Sequence, residues 1–132
     1  MSSNYKIQPH NIEAEQAVLG CILIDNQAQV DILSLMHEED FYSEAHQQIF
    51  KSMSKVYQKS IPVDFVTITD QLEKDVVLEK VGGIDYITFL TNAVPSAANF
   101  KHYCEIVKSC TCWFYYYNNN FIALFVFLAY LC

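Results

Sequence analysis

The chain has 132 residues, one domain's worth of sequence and enough to bury a core without disulfides or metals. It carries 15 acidic residues against 8 basic ones, net -7, and every basic residue is a lysine. Lacking arginine, the bidentate reader of phosphate and guanine, and with its lysines scattered along the chain, it is poorly equipped to bind nucleic acid directly.

Residues 1–10, "MSSNYKIQPH", read as a polar arm without the apolar run of a secretory signal. A first helix begins at Asn11, a good N-cap. Ala14, Ala17, Val18, Cys21 and Ile22 recur at helical spacing behind it, and Leu19 and Leu23 widen the stripe. Glu13 and Glu15 fall in its first turn, where carboxylates oppose the positive end of the helix dipole. Two residues on a helix are about 200° apart around the axis, so the two cannot work as a pair. They are expected to start the helix and keep its end in water.

A second helix is predicted over Ala28 to Met36, with Val30, Leu33 and Ile32 facing inward; "HEEDF" breaks it, and the three acids "EED" (38–40) read as a solvated loop. Ser43 caps a third helix that buries Ala45, Ile49, Phe50, Met53, Val56 and Tyr57, with His46 bordering the stripe as a packed or capping residue. Ile61-Pro62-Val63 is extended, because a residue preceding proline is pushed out of the helical region. Asp64 caps a fourth helix burying Phe65, Ile68 and Leu72. Gly82-Gly83 is a turn rather than a phosphate loop, since no lysine-serine or lysine-threonine pair follows it. The fifth helix places Tyr86, Ile87, Leu90, Ala93 and Val94 on one face and stops at Pro95. Ser96 caps a sixth that buries Ala97, Phe100, Tyr103, Cys104 and Val107. The pattern predicts an all-α fold, a compact bundle of about six short helices over residues 11–108.

Composition breaks at Lys108. All charged residues lie at or before it, and 109–132 is an uncharged, apolar, aromatic-rich tail. A membrane anchor is one reading of it. Phe121–Cys132 is too short to span, however, and starting at Trp113 puts Asn118, Asn119 and Asn120 inside the span. A helix that covers apolar surface is the second. The third, and favoured, is a segment not selected as protein: from Trp113 onward, 15 of 20 residues are Phe, Tyr, Asn, Ile or Leu, as an out-of-frame reading of AT-rich DNA would yield. On that reading, cutting the chain after Lys108 leaves the helical domain intact.

The residues assemble no recognisable chemistry. Five cysteines form no regular framework, which suits a reducing, cytoplasmic setting. His102, Cys104, Cys110 and Cys112 match no common zinc spacing, and the adjacent acids Glu38, Glu39 and Asp40 lack further magnesium ligands. No catalytic, cofactor-binding or metal-ligating residue is assigned.

Four strings occur in order with short spacers: "PHNIEAEQAVLGCILID", "EEDFYSEAHQQIF", "PVDFVTITDQLEK" and "VGGIDYITFLTNAVPSAANFKHYCEIVK". Together, from Pro9 to Lys108, they resemble the N-terminal domain of DnaB-type replicative DNA helicases. The resemblance implies an all-helical collar domain without catalytic residues. In the family this collar stabilises a hexameric ring and docks a DnaG-type primase, while ATP and magnesium serve a separate RecA-like motor domain. After "EIVK" the family continues into a long helical hairpin that carries much of the primase surface, and "SCTCWFYYYNNNFIALFVFLAYLC" does not resemble it. No segment matches the motor's motifs.

The main reading is therefore a helicase collar and partner-docking domain, with helicase subunits and primase as partners and no membrane attachment. A stand-alone regulator of a host helicase, or a non-functional truncated fragment, is the alternative. By itself the chain is expected neither to hydrolyse ATP nor to unwind duplex DNA, and to bind DNA only weakly at moderate salt. Phosphate release above a buffer control, in a preparation freed of contaminating ATPases, would contradict this.

Overall fold

A computed structural model describes the backbone of residues 10–119 and the side chains of residues 10–112. Six α-helices follow one another: α1 (Ile12–Ile24), α2 (Asn26–Leu35), α3 (Glu44–Gln58), α4 (Phe65–Lys74), α5 (Gly83–Thr91) and α6 (Phe100–Asn119). One turn of 3-10 helix, Glu38–Asp40, joins α2 to α3. What was expected of residues 1–9 and 120–132 lies outside the described residues.

The helix starts are written in their caps. Asn11 accepts from the Ala14 amide at 2.9 Å. Asp25 ends α1 and at once caps α2, accepting from the amides of Gln27 and Ala28 at 2.8 and 2.9 Å. Ser43 accepts from the His46 amide. Asp64 and Thr67 form a reciprocal capping box, each side chain taking the other's backbone N–H at 2.9 Å. Gly82, at φ 114°, supplies the left-handed turn into α5 that a side chain would strain.

α1 is the axis of the bundle, with α2, α3, α5 and α6 all packed on it. From Ala14 to Leu23 only Gln16 keeps appreciable exposure. Val18, Leu19, Cys21 and Ile22 are fully enclosed, and each large aliphatic side chain among them contributes about 1.5–3 kcal/mol. α5 lies parallel to α1, since Gln16 meets Tyr86 and Gly20 meets Leu90 one turn further on. α6 returns antiparallel, bringing Cys104 beside Cys21 and Cys110 beside Glu15. Burial pushes the Cys21 thiol up to about 11 and the Cys104 thiol to about 12, so both are inert packing groups.

The connector after α3 is held by two side chains, Thr67, whose hydroxyl donates to the Pro62 carbonyl at 2.9 Å, and Gln29. The Gln29 amide donates to the carbonyls of Ile22 and Val63 and accepts from the Val63 amide, giving the extended segment 61–63 a strand-like partner. Both α3 and α4 end in Schellman motifs, with Ile61 N–H reaching the Val56 carbonyl and Val77 N–H the Leu72 carbonyl. The residues that adopt positive φ there are Ser60 and Val76, without the glycine usual at such ends.

Of the expected core, Val18, Ile22, Ile49, Phe50, Met53, Leu72, Ile87, Leu90 and Val107 are buried, whereas Phe100 is half-buried at the first turn of α6. Several local expectations are corrected. α2 starts two residues early because Asp25 caps it, and its turned phase buries Ile32 while Val30 faces out. Tyr57 is exposed at the end of α3. "EED" is a formed turn, since Asp40 accepts from the His37 amide at 2.8 Å. α5 ends at Thr91, ahead of Pro95, yet Val94 still packs inward. Ser96 caps only a bend, accepting from the Ala98 amide, and α6 begins at Phe100. Finally, α6 crosses the compositional break at Lys108 without interruption, and Thr111 beyond it is buried. A cut after Lys108 thus removes a packed residue.

α5 approaches α1 closely at Gly20, where an added Cβ would stand 2.6 Å from the Leu90 carbonyl oxygen. Backbone cannot move aside as a flexible side chain can. Gly20→Ala is expected to destabilise the domain by about 1–3 kcal/mol through overpacking, despite alanine's better helix propensity. Urea denaturation followed by circular dichroism checks this, and an unchanged or raised midpoint would refute the close α1–α5 crossing.

Candidate functional site: a buried polar network

Glu13 and Glu15 point to different sides of α1, as their spacing requires, but with opposite fates. Glu13 is exposed, whereas Glu15 is 2% exposed. Its register explains why: it stands three, four and seven residues before Val18, Leu19 and Ile22, on the apolar stripe itself. The expectation that both carboxylates are solvated is therefore corrected for Glu15. A buried carboxylate must be hydrogen-bonded or it disrupts the fold. Glu15 accepts from the amides of Tyr42 and Ser43 at 3.0 and 3.3 Å and from His46 Nδ1 at 2.8 Å.

His46 is the packed residue expected of it, at 1% exposure, and it also bridges two helices. Nδ1 faces a carboxylate and so carries the ring proton. Nε2 then accepts from the Tyr86 hydroxyl at 2.5 Å. Gln16 Nε2 donates to the same hydroxyl oxygen at 3.3 Å. The rings continue the link, with His46 stacked on Tyr86 and Tyr86 on Phe89, each pair with centroids 5.9 Å apart. On the inner side Phe41 meets His46 edge-on. α1, α3 and α5 thus share one polar joint, and among the described residues no buried side-chain nitrogen or oxygen lacks a partner.

Carboxylate, imidazole and hydroxyl stand in the order of a nucleophilic relay, but this one is closed. Burial, opposed by the bond from Gln16 and reinforced by the Glu15 charge, raises the Tyr86 hydroxyl above its ordinary value, so it stays protonated and poorly nucleophilic. The network is a positioning device. The other motifs do not converge: His102 is exposed while Cys104 is buried, Cys110 and Cys112 are half-buried, and Gly82-Gly83 is spent on starting α5. No group of three or more histidine, cysteine or acidic side chains among the described residues is placed to hold a metal. No helix among them is long and apolar enough to cross a membrane.

What remains available is surface. Val66 and Val76 are 72% and 80% exposed, Phe89 is half-exposed at the outer end of the ring stack, and a shallow groove runs past Val30, Tyr57, Ile61 and Pro62. The chain is thus an all-helical domain with an apolar core, a buried polar joint and scattered exposed apolar side chains.

The comparisons with known proteins place it further. Residues 7–109 match the DnaB-like helicase N-terminal domain, and the chain belongs to that family. It is 46% identical over 103 residues to the replicative DNA helicase DnaB of Geobacillus stearothermophilus, covering 78% of this chain and 23% of that protein. It is 43% identical over 105 residues to the replicative DNA helicase DnaC of Bacillus subtilis, covering 80% of this chain and 23% of that protein. The chain thus spans about a quarter of the length of these relatives. Among solved structures, the N-terminal domain of DnaB helicase from Mycobacterium tuberculosis superposes with a TM-score of 0.77 at 34% identity, over 80% of this chain and 74% of that one. A DnaB-like replicative helicase, solved to describe its interactions with primase, gives 0.69 at 31% identity, over 77% of this chain and 24% of that one.

The polar joint can be tested directly. Glu15→Ala leaves the Tyr42 and Ser43 amides and His46 Nδ1–H without their acceptor, and should cost about 3–5 kcal/mol. Glu13→Ala, on the exposed side, should stay within about 0.5 kcal/mol of the parent. Equal shifts of the two variants in urea denaturation would show that Glu15 is not the hub.

Proposed function

We propose that this domain acts as a collar element of a replicative DNA helicase in the cytoplasm, packing against other helicase subunits and contributing to the docking of a DnaG-type primase. It works through protein contacts, needs no cofactor of its own and performs no chemistry. The observation that carries this reading is the match of residues 7–109 to the DnaB-like helicase N-terminal domain. Two features support it. The acidic, arginine-free composition leaves DNA contact to other parts of such a machine. The inward-turned Glu15–His46–Tyr86 network ties α1, α3 and α5 to one another.

A domain exchange tests it. Residues 7–109 of this chain replace the matching segment of the Geobacillus stearothermophilus helicase, to which they are 46% identical. The chimera is expected to assemble into rings of parental mass by light scattering and to retain primase on an affinity column. The present chain alone should retain little primase, because its sequence after Lys108 does not resemble the hairpin. A chimera that is folded by circular dichroism yet remains monomeric would overturn the collar reading.

A further inference from the structure

A second side-chain cluster joins α3 to the end of α4. The Asp75 carboxylate accepts from the Ser52 hydroxyl at 2.9 Å and the Gln71 amide at 3.0 Å, and it pairs with the Lys55 ammonium at 3.2 Å. Lys59 donates to the oxygen of the same Gln71 amide at 2.9 Å. Two successive residues here go against local preference. Asp75 is the C-cap of α4, where the negative end of the helix dipole disfavours a carboxylate. Val76 holds φ at 58°, a left-handed conformation that crowds a β-branched side chain and is ordinarily left to glycine. We propose that the Asp75 carboxylate is a charge-dependent strap: by tying the C-cap of α4 to α3, it compensates the strained backbone at Val76 and fixes where that exposed side chain stands.

A strained backbone persists where its surroundings over-determine it, and Val76 is held from both sides. Ahead of it, Asp75 N–H bonds the Gln71 carbonyl while the Asp75 carboxylate is anchored to Ser52 and Lys55 of α3. Beyond it, Val77 N–H bonds the Leu72 carbonyl and the Val77 side chain packs on the core. The strap works in its ionised form. Burial raises the Asp75 carboxyl, but the bonds from Ser52, Lys55 and Gln71, with the Lys55 charge, outweigh burial and hold the group below its ordinary value of 3.8. Lys55 is the charge that acts on it. Lys59 of α3 reaches it only through Gln71, Lys74 of α4 is paired with Asp70 at 2.7 Å, and no charge of α5 bears on it. A carboxyl lowered in the folded domain contributes stability that is complete above its ordinary value and lost as pH falls through the lowered one.

A double-mutant cycle on the full chain tests the strap, with urea denaturation followed by circular dichroism from neutral pH down to about pH 3. Asp75→Asn keeps the shape and loses the charge. At neutral pH it should lower the urea midpoint, and its gap to the parent should narrow as the pH falls and the parent carboxylate is protonated. Val76→Gly removes the strain and should raise the midpoint. In the Val76→Gly background, Asp75→Asn should lower the midpoint by about half or less of the drop it causes in the parent, because less strain remains to be held. Additive effects of the two substitutions would overturn the strap. So would a gap between Asp75→Asn and the parent that stays constant with pH, which would make the role of Asp75 one of shape alone. A lowered midpoint in Val76→Gly would show that the turn stores no strain, and would overturn it equally. The proposal does not depend on which partner the domain docks.

Discussion

Glu15 is a carboxylate placed in the middle of an apolar helix face, and the arrangement of the surrounding helices follows from how that burial is compensated. Removing the ion from water costs several kcal/mol after relaxation, so its donors must be held in place. Two are the backbone amides of Tyr42 and Ser43, which fixes where α3 begins. The third is His46, one turn into α3, whose far nitrogen takes the hydroxyl of Tyr86 and so fixes α5. Cys110 of α6 lies close enough to feel the same charge. One residue in the first turn of α1 thereby positions α3 directly and α5 through His46.

Packing around α1 reinforces this. A helix enclosed on nearly all sides cannot rely on a single apolar stripe, and its small residues matter as much as its large ones. Gly20 lets the α5 backbone approach, Ala14 and Ala17 admit their neighbours closely, and Val18 and Ile22 fill the centre. The outer helices, amphipathic and capped, close over this axis and leave Val66, Val76 and Phe89 outside.

That division suits membership of the DnaB-like N-terminal domain family. The one relay-like constellation in the domain is consumed internally, its tyrosine kept protonated by burial and by Glu15. Outward-facing groups are apolar, acidic and lysine, and no arginine is present to grip phosphate bidentately. The Thr111 hydroxyl ties α6 to the Asp40 carbonyl across 71 residues.

Local chemistry alone determined much of this protein. Asn11, Ser43 and Asp64 announce their helices because a short polar side chain at that position satisfies an orphan amide, whatever the rest of the chain does. Gly82 marks a turn because of its own backbone freedom, and helical spacing identifies most of the core. Other features depended on what lies across the domain. Val30 and Ile32 are equally apolar, and only the phase set by the Asp25 cap and the approach of the core decided which is buried. Tyr57 matches its stripe but lies where α3 has outrun its neighbours. Thr111 sits in a stretch whose composition reads as foreign, yet a carbonyl 71 residues away gives it a buried place. Glu15 was visible on the stripe by register, but a charged residue reads as solvated until its partners are known. Those partners lie 27 to 31 residues away, and no local pattern specifies them. Only the tertiary structure, by bringing α3 against α1, could turn a helix-starting glutamate into the centre of the domain.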